Sequence, residues 1–116
     1  MILTALGFGK TAGQLYPDFV GKRAIFVGTG TGPVAPTNAA ATADTISLAL
    51  SNYYIDAVLS GASTDGTTFM IAFPYLSAGP RATWKAFYFT YGTDAPINGT
   101  DLSGKTFVVS AFVGQF

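Results

Sequence analysis

The sequence predicts an all-β chain: a single small antiparallel sandwich or barrel of about seven short strands joined by long Gly/Thr/Pro-rich loops. Three observations carry this expectation. Apolar residues recur at period two, and the segments holding them are rich in aromatic and β-branched residues. Clusters of Gly, Pro, Asn and Asp separate those segments at short intervals. The chain has 116 residues, enough for one compact domain spanning 1–116 and too few for two.

In chain order, a weak strand is expected at Ile2 to Phe8, within an N-terminal segment (1–20) that is loosely attached to the domain. Arg23 to Gly28 forms the next strand. After it, the run from Gly28 to Asn38 (Gly-Thr-Gly-Thr-Gly-Pro-Val-Ala-Pro-Thr-Asn) reads as a long surface connection. Ile46, Leu48 and Leu50 then alternate with Thr45, Ser47 and Ala49, and alternation resumes at Tyr53, Ile55, Ala57 and Leu59. A two-residue turn at Ser51-Asn52 would set Leu50 against Tyr53, Leu48 against Ile55 and Ile46 against Ala57 in a hairpin. The competing expectation is a helix from about Asn38 to Leu50, since Ala39, Ala43, Ile46 and Leu50 also fit helical spacing.

Ser60 to Gly66 supplies a loop with Asp65-Gly66 near its end, followed by a strand at Thr67 to Phe73. Pro74 implies that this strand stops there or lies at a sheet edge. Ser77-Ala78-Gly79-Pro80 turns the chain into a strand at Ala82 to Tyr91, and Gly92 to Gly104 is a second long connection. Lys105 to Val113 forms the last strand.

The strand faces are the most informative feature. Ala82 to Tyr91 places Trp84, Ala86, Tyr88 and Thr90 on one side and Lys85, Phe87, Phe89 and Tyr91 on the other. The last strand places Phe107, Val109, Ala111 and Val113 on one side, with Val108 and Phe112 interrupting the other. A half-exposed antiparallel strand alternates apolar with polar, so apolar residues on both faces imply that the second face is covered. Trp84, Phe87, Tyr88, Phe89 and Tyr91 are therefore candidate contact residues. The alternative is a central strand with bulky outer residues.

Charge narrows the functional classes. Only 10% of residues are charged, against about 25% in an ordinary domain. All six acids are Asp, six Lys and Arg balance them, and Glu, His and Cys are absent. Ser-His-Asp and Cys-His nucleophile systems, thiolate or imidazole metal sites and disulfides are thereby excluded. No Lys or Arg lies between Ala24 and Pro80, so the clustered cations that nucleic-acid binding needs are missing. No run of roughly 20 apolar residues offers a membrane-spanning helix. The N-terminus lacks a cationic region and cleavage site, so synthesis in the cytoplasm is expected.

Single motifs yield little chemistry. Gly28, Gly30 and Gly32 follow a strand, but Pro33 occupies the last glycine position of a dinucleotide loop. Asp94, Asn98 and Asp101 resemble calcium ligands without the bidentate Glu, and turn chemistry accounts for them equally. Asn98-Gly99-Thr100 matches a glycosylation sequon, and Ser103 with Lys105 is the one conceivable nucleophile pair. Catalytic, metal and cofactor sites are thus all expected to be absent, and the chain is expected not to be an enzyme. A carbohydrate-binding module would stack sugars on Trp84, Tyr88 or the Tyr53-Tyr54 pair, but its polar partners are sparse: Gln14 and Gln115 are the only glutamines and Arg23 and Arg81 the only arginines. The terminal Phe116 after an alternating strand resembles the last strand of an outer-membrane barrel, for which this chain is short.

In composition, in its Met1 start, in the aromatic strand Trp84 to Tyr91 and in the Gly-rich arm around Gly28 to Thr37, the chain resembles small structural proteins of tailed-bacteriophage virions, particularly capsid decoration or cement proteins. The resemblance is compositional and transfers no site residues. It implies a virion location and a β-sandwich or barrel that self-associates, often as a trimer. It also implies that the protein binds major coat subunits to stabilise the particle. The runner-up is a carbohydrate-binding module of a receptor-binding tail or spike.

Overall fold

The computed structural model describes residues 1–5, 23–75 and 81–115. Among the described residues there are seven strands: β1 (Ile2–Ala5), β2 (Arg23–Thr31), β3 (Asp44–Leu48), β4 (Tyr53–Ser63), β5 (Thr68–Tyr75), β6 (Thr83–Thr90) and β7 (Thr106–Gln115). They close into one barrel in the order β1-β2-β7-β4-β5-β6-β3. Every pairing is antiparallel except the seam that closes the ring, where β1 runs parallel to β3 with Ile2 opposite Ser47 and Leu3 opposite Leu48. The all-β expectation holds, as a barrel.

Period-two alternation aims one side chain of each pair inward. Phe26 from β2, Tyr88 from β6, Phe107, Val109 and Val113 from β7, and Leu3 from β1 are the largest fully buried side chains. Tyr88 and Phe107 meet edge to face at the centre, with ring centroids 5.2 Å apart. The strand nearest the N-terminus is part of this wall, so residues 2–5 of the segment expected to be loosely attached are built into the barrel. The rest of that segment, including the expected continuation to Phe8, lies outside the described residues.

Three expectations are corrected. First, the Gly-Thr run is not a surface loop throughout: β2 continues through Gly28, Thr29, Gly30 and Thr31, pairing with Val109 through Thr106 of β7. Glycine serves here as a space-maker. A Cβ on Gly28 would stand 2.8 Å from the Thr4 carbonyl and against the Phe26 ring, so only a bare backbone fits. Second, Ser51-Asn52 does turn the chain, but β3 and β4 do not form a hairpin. β3 pairs with β6 through Asp44–Ala86, Thr45–Lys85 and Ile46–Trp84, while β4 pairs with β7. Two-residue hairpins need primed turns with positive φ. Among the described residues no non-glycine has positive φ, and Ser51-Asn52 contains no glycine. Third, the helical alternative shrinks to a single 3-10 turn, Ala40–Thr42, with no side-chain cap.

Pro74 obeys one arm of its expectation. It lies inside β5 opposite Trp84 of β6, but β4 meets β5 only at Ala62–Phe69. Beyond that point β4 and β5 diverge, and Pro74 occupies a locally unpaired edge where its missing N–H costs nothing. Register shifts in β4 between Ile55 and Ala57 and between Val58 and Ser60 accompany the divergence.

The two ends of the barrel differ. At one end the long connections lie against each other, with Leu102 N–H donating to Pro33 O at 2.9 Å and Gly99 N–H to Pro36 O at 2.7 Å. Leu102 is buried by this contact and Ile97 packs on the core, so the loops form a plug. At the same end the β4–β5 turn is fixed by Asp65. Its carboxylate accepts from Ser63 Oγ (2.6 Å), Thr67 Oγ1 (2.6 Å), Thr67 N–H (3.1 Å) and Lys105 Nζ (2.6 Å). The other end is where β3 finishes, and β4 and β6 begin.

Lys105 and the hydroxyls of Ser63 and Thr67 hold the Asp65 carboxyl below the ordinary carboxylate value of 3.8. A depressed folded value means stability that is fully present above the unfolded value and is lost as pH falls toward the folded one. Carbon-detected NMR titration should therefore find Asp65 still ionised where an ordinary aspartate is half protonated, and Lys105→Met should move its midpoint upward. An ordinary midpoint in the unsubstituted protein would contradict the four-donor turn.

Candidate functional site

The residues expected to form a contact surface divide between the two sides of the barrel wall. Tyr88 points inward and is fully buried, which removes it from any surface role. A strand in a closed barrel must send alternate residues into the core, and Tyr88 shares its side with Ala86. Its hydroxyl donates to Asp44 Oδ2 at 2.5 Å, and burial together with this carboxylate pushes its pKa far above the usual tyrosine range. Asp44 Oδ1 in turn accepts from the α-ammonium of Met1 at 3.0 Å, and the same ammonium donates to Thr45 O at 2.7 Å. These bonds join β1, β3 and β6 across the parallel seam.

Phe87, Phe89 and Tyr91 lie on the outer side, as required of contact residues. What the sequence reading missed is the adjoining column on β5. Phe69 stands opposite Phe89, and Ile71 opposite Phe87. Phe69 stacks on Phe89 (centroids 5.3 Å, planes 15° apart) and tilts against Tyr91 (4.9 Å), while Phe73 tilts against Phe87 (4.8 Å). Ile71 is 53% and Tyr91 54% exposed, so the ladder faces outward with no layer of the described residues over it. The signal was available: Thr67 to Phe73 is apolar on both faces, the same pattern that singled out Ala82 to Tyr91.

Across β5, β6 and β7 the only charged side chain is Lys85. It is turned aside, donating to Ala41 O (3.0 Å) and Ala43 O (3.3 Å), with its Nζ 5.0 Å from the Tyr75 ring centre. Where β4 leaves β5, a groove of about 630 Å³ opens beside the ladder, lined by Leu59, Ala62, Phe69, Tyr91 and Val108 among others. Leu59 is 52% exposed, so groove and ladder make one continuous apolar surface.

Trp84 belongs to a different place. It lines a depression of about 320 Å³ at the open end of the barrel, together with Ile46, Leu48, Tyr53, Ile55 and Arg81. Tyr54, also on this rim, lies over Gly114, where a Cβ would collide with the ring, and under Arg81, whose guanidinium carbon is 3.8 Å from the ring centre.

The residues weighed for catalysis and metal binding have other work. Lys105 Nζ binds Asp65 and Thr67 Oγ1 (2.8 Å). Asp101 accepts from the Ser103 N–H at 2.8 Å in an Asx turn, and the Ser103 hydroxyl, then this N–H, hold its carboxyl below the usual range. Among the described residues, no three acidic side chains cluster as metal ligands. No helix among the described residues is long and apolar enough to cross a membrane.

Comparison with protein-family models, with curated proteins and with solved structures finds no match for this chain.

Proposed function

We propose that the protein is a structural subunit, self-associating through the outer face of β5 and β6 and binding neighbouring coat subunits as a virion decoration or cement protein does. One observation carries this: a stacked aromatic ladder, continuous with an apolar groove, that the described residues leave uncovered on the outside of the barrel. Exposed apolar surface of this contiguity marks a contact site. Aromatic anchors with few charges suit a permanent interface, because little charge has to be desolvated. Side-chain packing, not strand addition, is the mode the edges favour. Pro74 and the β4 register shifts blunt the one place where β4 and β5 lie apart. The virion assignment itself rests on the resemblance in composition, and places the protein in the particle after synthesis in the host cytoplasm.

Solution mass tests the self-association. Sedimentation or light scattering should return a discrete oligomer, and Phe89→Ser with Tyr91→Ser should weaken association by about 30-fold or more, the effect of losing a central hot spot. Both side chains lie outside the core, so far-ultraviolet circular dichroism of the variant should match the parent. A well-behaved monomer with no affinity for any shell would overturn the proposal.

A further inference from the structure

We infer that Asn98-Gly99 is a self-modification site: the loop plug holds off succinimide formation there, and the isoaspartate that follows opens the plug irreversibly. Ring closure of this kind needs an asparagine followed by a residue with no side chain in the way. Of the three asparagines, Asn38 precedes Ala39 and Asn52 precedes Tyr53, and Asn98 alone precedes a glycine. Asn98 is exposed, so water and hydroxide reach its amide. The fold requires the glycine, because Gly99 has a φ of 81°, a backbone conformation that other residues rarely adopt.

The reaction takes two steps. The Gly99 N–H gives its proton to hydroxide and the nitrogen attacks Asn98 Cγ. The Cγ–Nδ2 bond breaks, and the leaving nitrogen takes a proton from water and departs as ammonia. A second water then opens the ring. Opening at the side-chain carbonyl gives aspartate, while opening at the main-chain carbonyl gives isoaspartate, whose backbone runs through Cβ and Cγ and is longer by a carbon.

The bonds on either side of Asn98 oppose the first step. Ile97 N–H donates to Tyr88 O at 2.7 Å, and Gly99 N–H donates to Pro36 O at 2.7 Å. Donation to a carbonyl favours the protonated amide, so the Gly99 nitrogen is released for attack only when its bond to Pro36 opens. Leu102 holds the same loop closed, with its N–H on Pro33 O at 2.9 Å and its side chain buried. The reaction therefore starts from a locally opened state. Once isoaspartate forms, an extra backbone carbon and a negative charge lie between the Ile97 and Gly99 anchors, and the loop no longer matches both acceptors. Asp65-Gly66 has the related pattern, with Gly66 at a φ of 74°, but Lys105, Ser63 and Thr67 keep its carboxyl ionised and hence a poor electrophile. Asn98 is neutral, and its protection is the latch alone. All of these bonds lie within the chain, so the site stands whether or not another subunit covers β5 and β6.

Ageing the protein at mildly alkaline pH, folded and in guanidinium chloride, tests the latch. Peptide mapping by mass spectrometry with isoaspartate-specific methylation should find Asn98 the first asparagine to convert. Conversion should be at least roughly tenfold slower in the folded protein than in the unfolded chain, because local opening comes first. In the purified isoaspartate form, the Gly99 and Leu102 amides should lose hydrogen-exchange protection by roughly tenfold or more. Asn98→Asp, which adds the charge without lengthening the backbone, should keep that protection. Equal rates folded and unfolded, earlier conversion at Asn38 or Asn52, full protection in the isoaspartate form, or an equal loss of it in Asn98→Asp would each overturn the assignment.

Discussion

Phe107→Ala is expected to cost the barrel about 3 to 5 kcal/mol, the usual range for deleting a buried phenylalanine. Phe107 is fully buried and meets Tyr88 at the centre. Its neighbours in register are Gly30 on β2 and Ser63 on β4, residues too small to collapse into the space. The cavity term should therefore be retained in full. Against a total stability of about 5 to 15 kcal/mol for a domain of this class, the variant should be marginal at ambient temperature. Phe107→Leu should cost less, since part of the volume is kept. Urea denaturation measures both, and a loss below about 1 kcal/mol for the alanine variant would show that β7 does not carry the core.

Asp44→Ala is expected to cost about 3 kcal/mol, because it leaves the buried Tyr88 hydroxyl without its carboxylate and takes the counter-ion from the half-buried Met1 ammonium. The α-ammonium of Met1 loses its carboxylate and keeps only the Thr45 carbonyl, and the Tyr88 hydroxyl loses the carboxylate it donates to. Tyr88→Phe should cost about 1 to 2 kcal/mol, the worth of one hydrogen bond to a charged group, and the double variant should cost less than the sum. Position matters as much as energy. The β1–β3 seam has two register pairs, and Asp44 connects β1, β3 and β6 beside it. The Ser47 and Ala49 amides, which donate to Met1 O and Leu3 O, should lose exchange protection first in Asp44→Ala. Equal loss of protection throughout the barrel would instead mean that the seam is no weaker than the rest.

The fold class and most strand positions were legible because strand propensity and turn chemistry are local: aromatic and β-branched residues fill Thr68 to Tyr75, Thr83 to Thr90 and Thr106 to Gln115, and Gly, Pro, Asn and Asp separate them. Strand partners were not legible. Ser51-Asn52 offered a turn between two alternating runs, and nothing local records that β4 would instead pair with β7, about fifty residues away. Gly28 and Gly30 misled for a related reason: glycine interrupts a strand by propensity, yet here it clears space for the Phe26 ring of the same strand and for Met1 beside it. The proposed contact surface was half legible. Apolar residues on both faces of β6 marked an unusual strand, but the inner and outer sets could be separated only once the barrel placed Tyr88 inside and Phe87, Phe89 and Tyr91 outside. The gathering of Trp84, Tyr53, Tyr54 and Arg81 at one end depends on β3, β4 and β6 converging there, and no spacing in the sequence encodes it.

The central claim is that the outer face of β5 and β6 is covered by another subunit in the working state. Intermolecular nuclear Overhauser effects in a mixed isotope-labelled sample test it most directly, since they report only contacts between copies. Cross-peaks between copies should arise from the rings of Phe69, Phe89 and Tyr91 and from the Ile71 methyls. Intermolecular contacts placed on any other face, with those rings showing only contacts within their own chain, would contradict it.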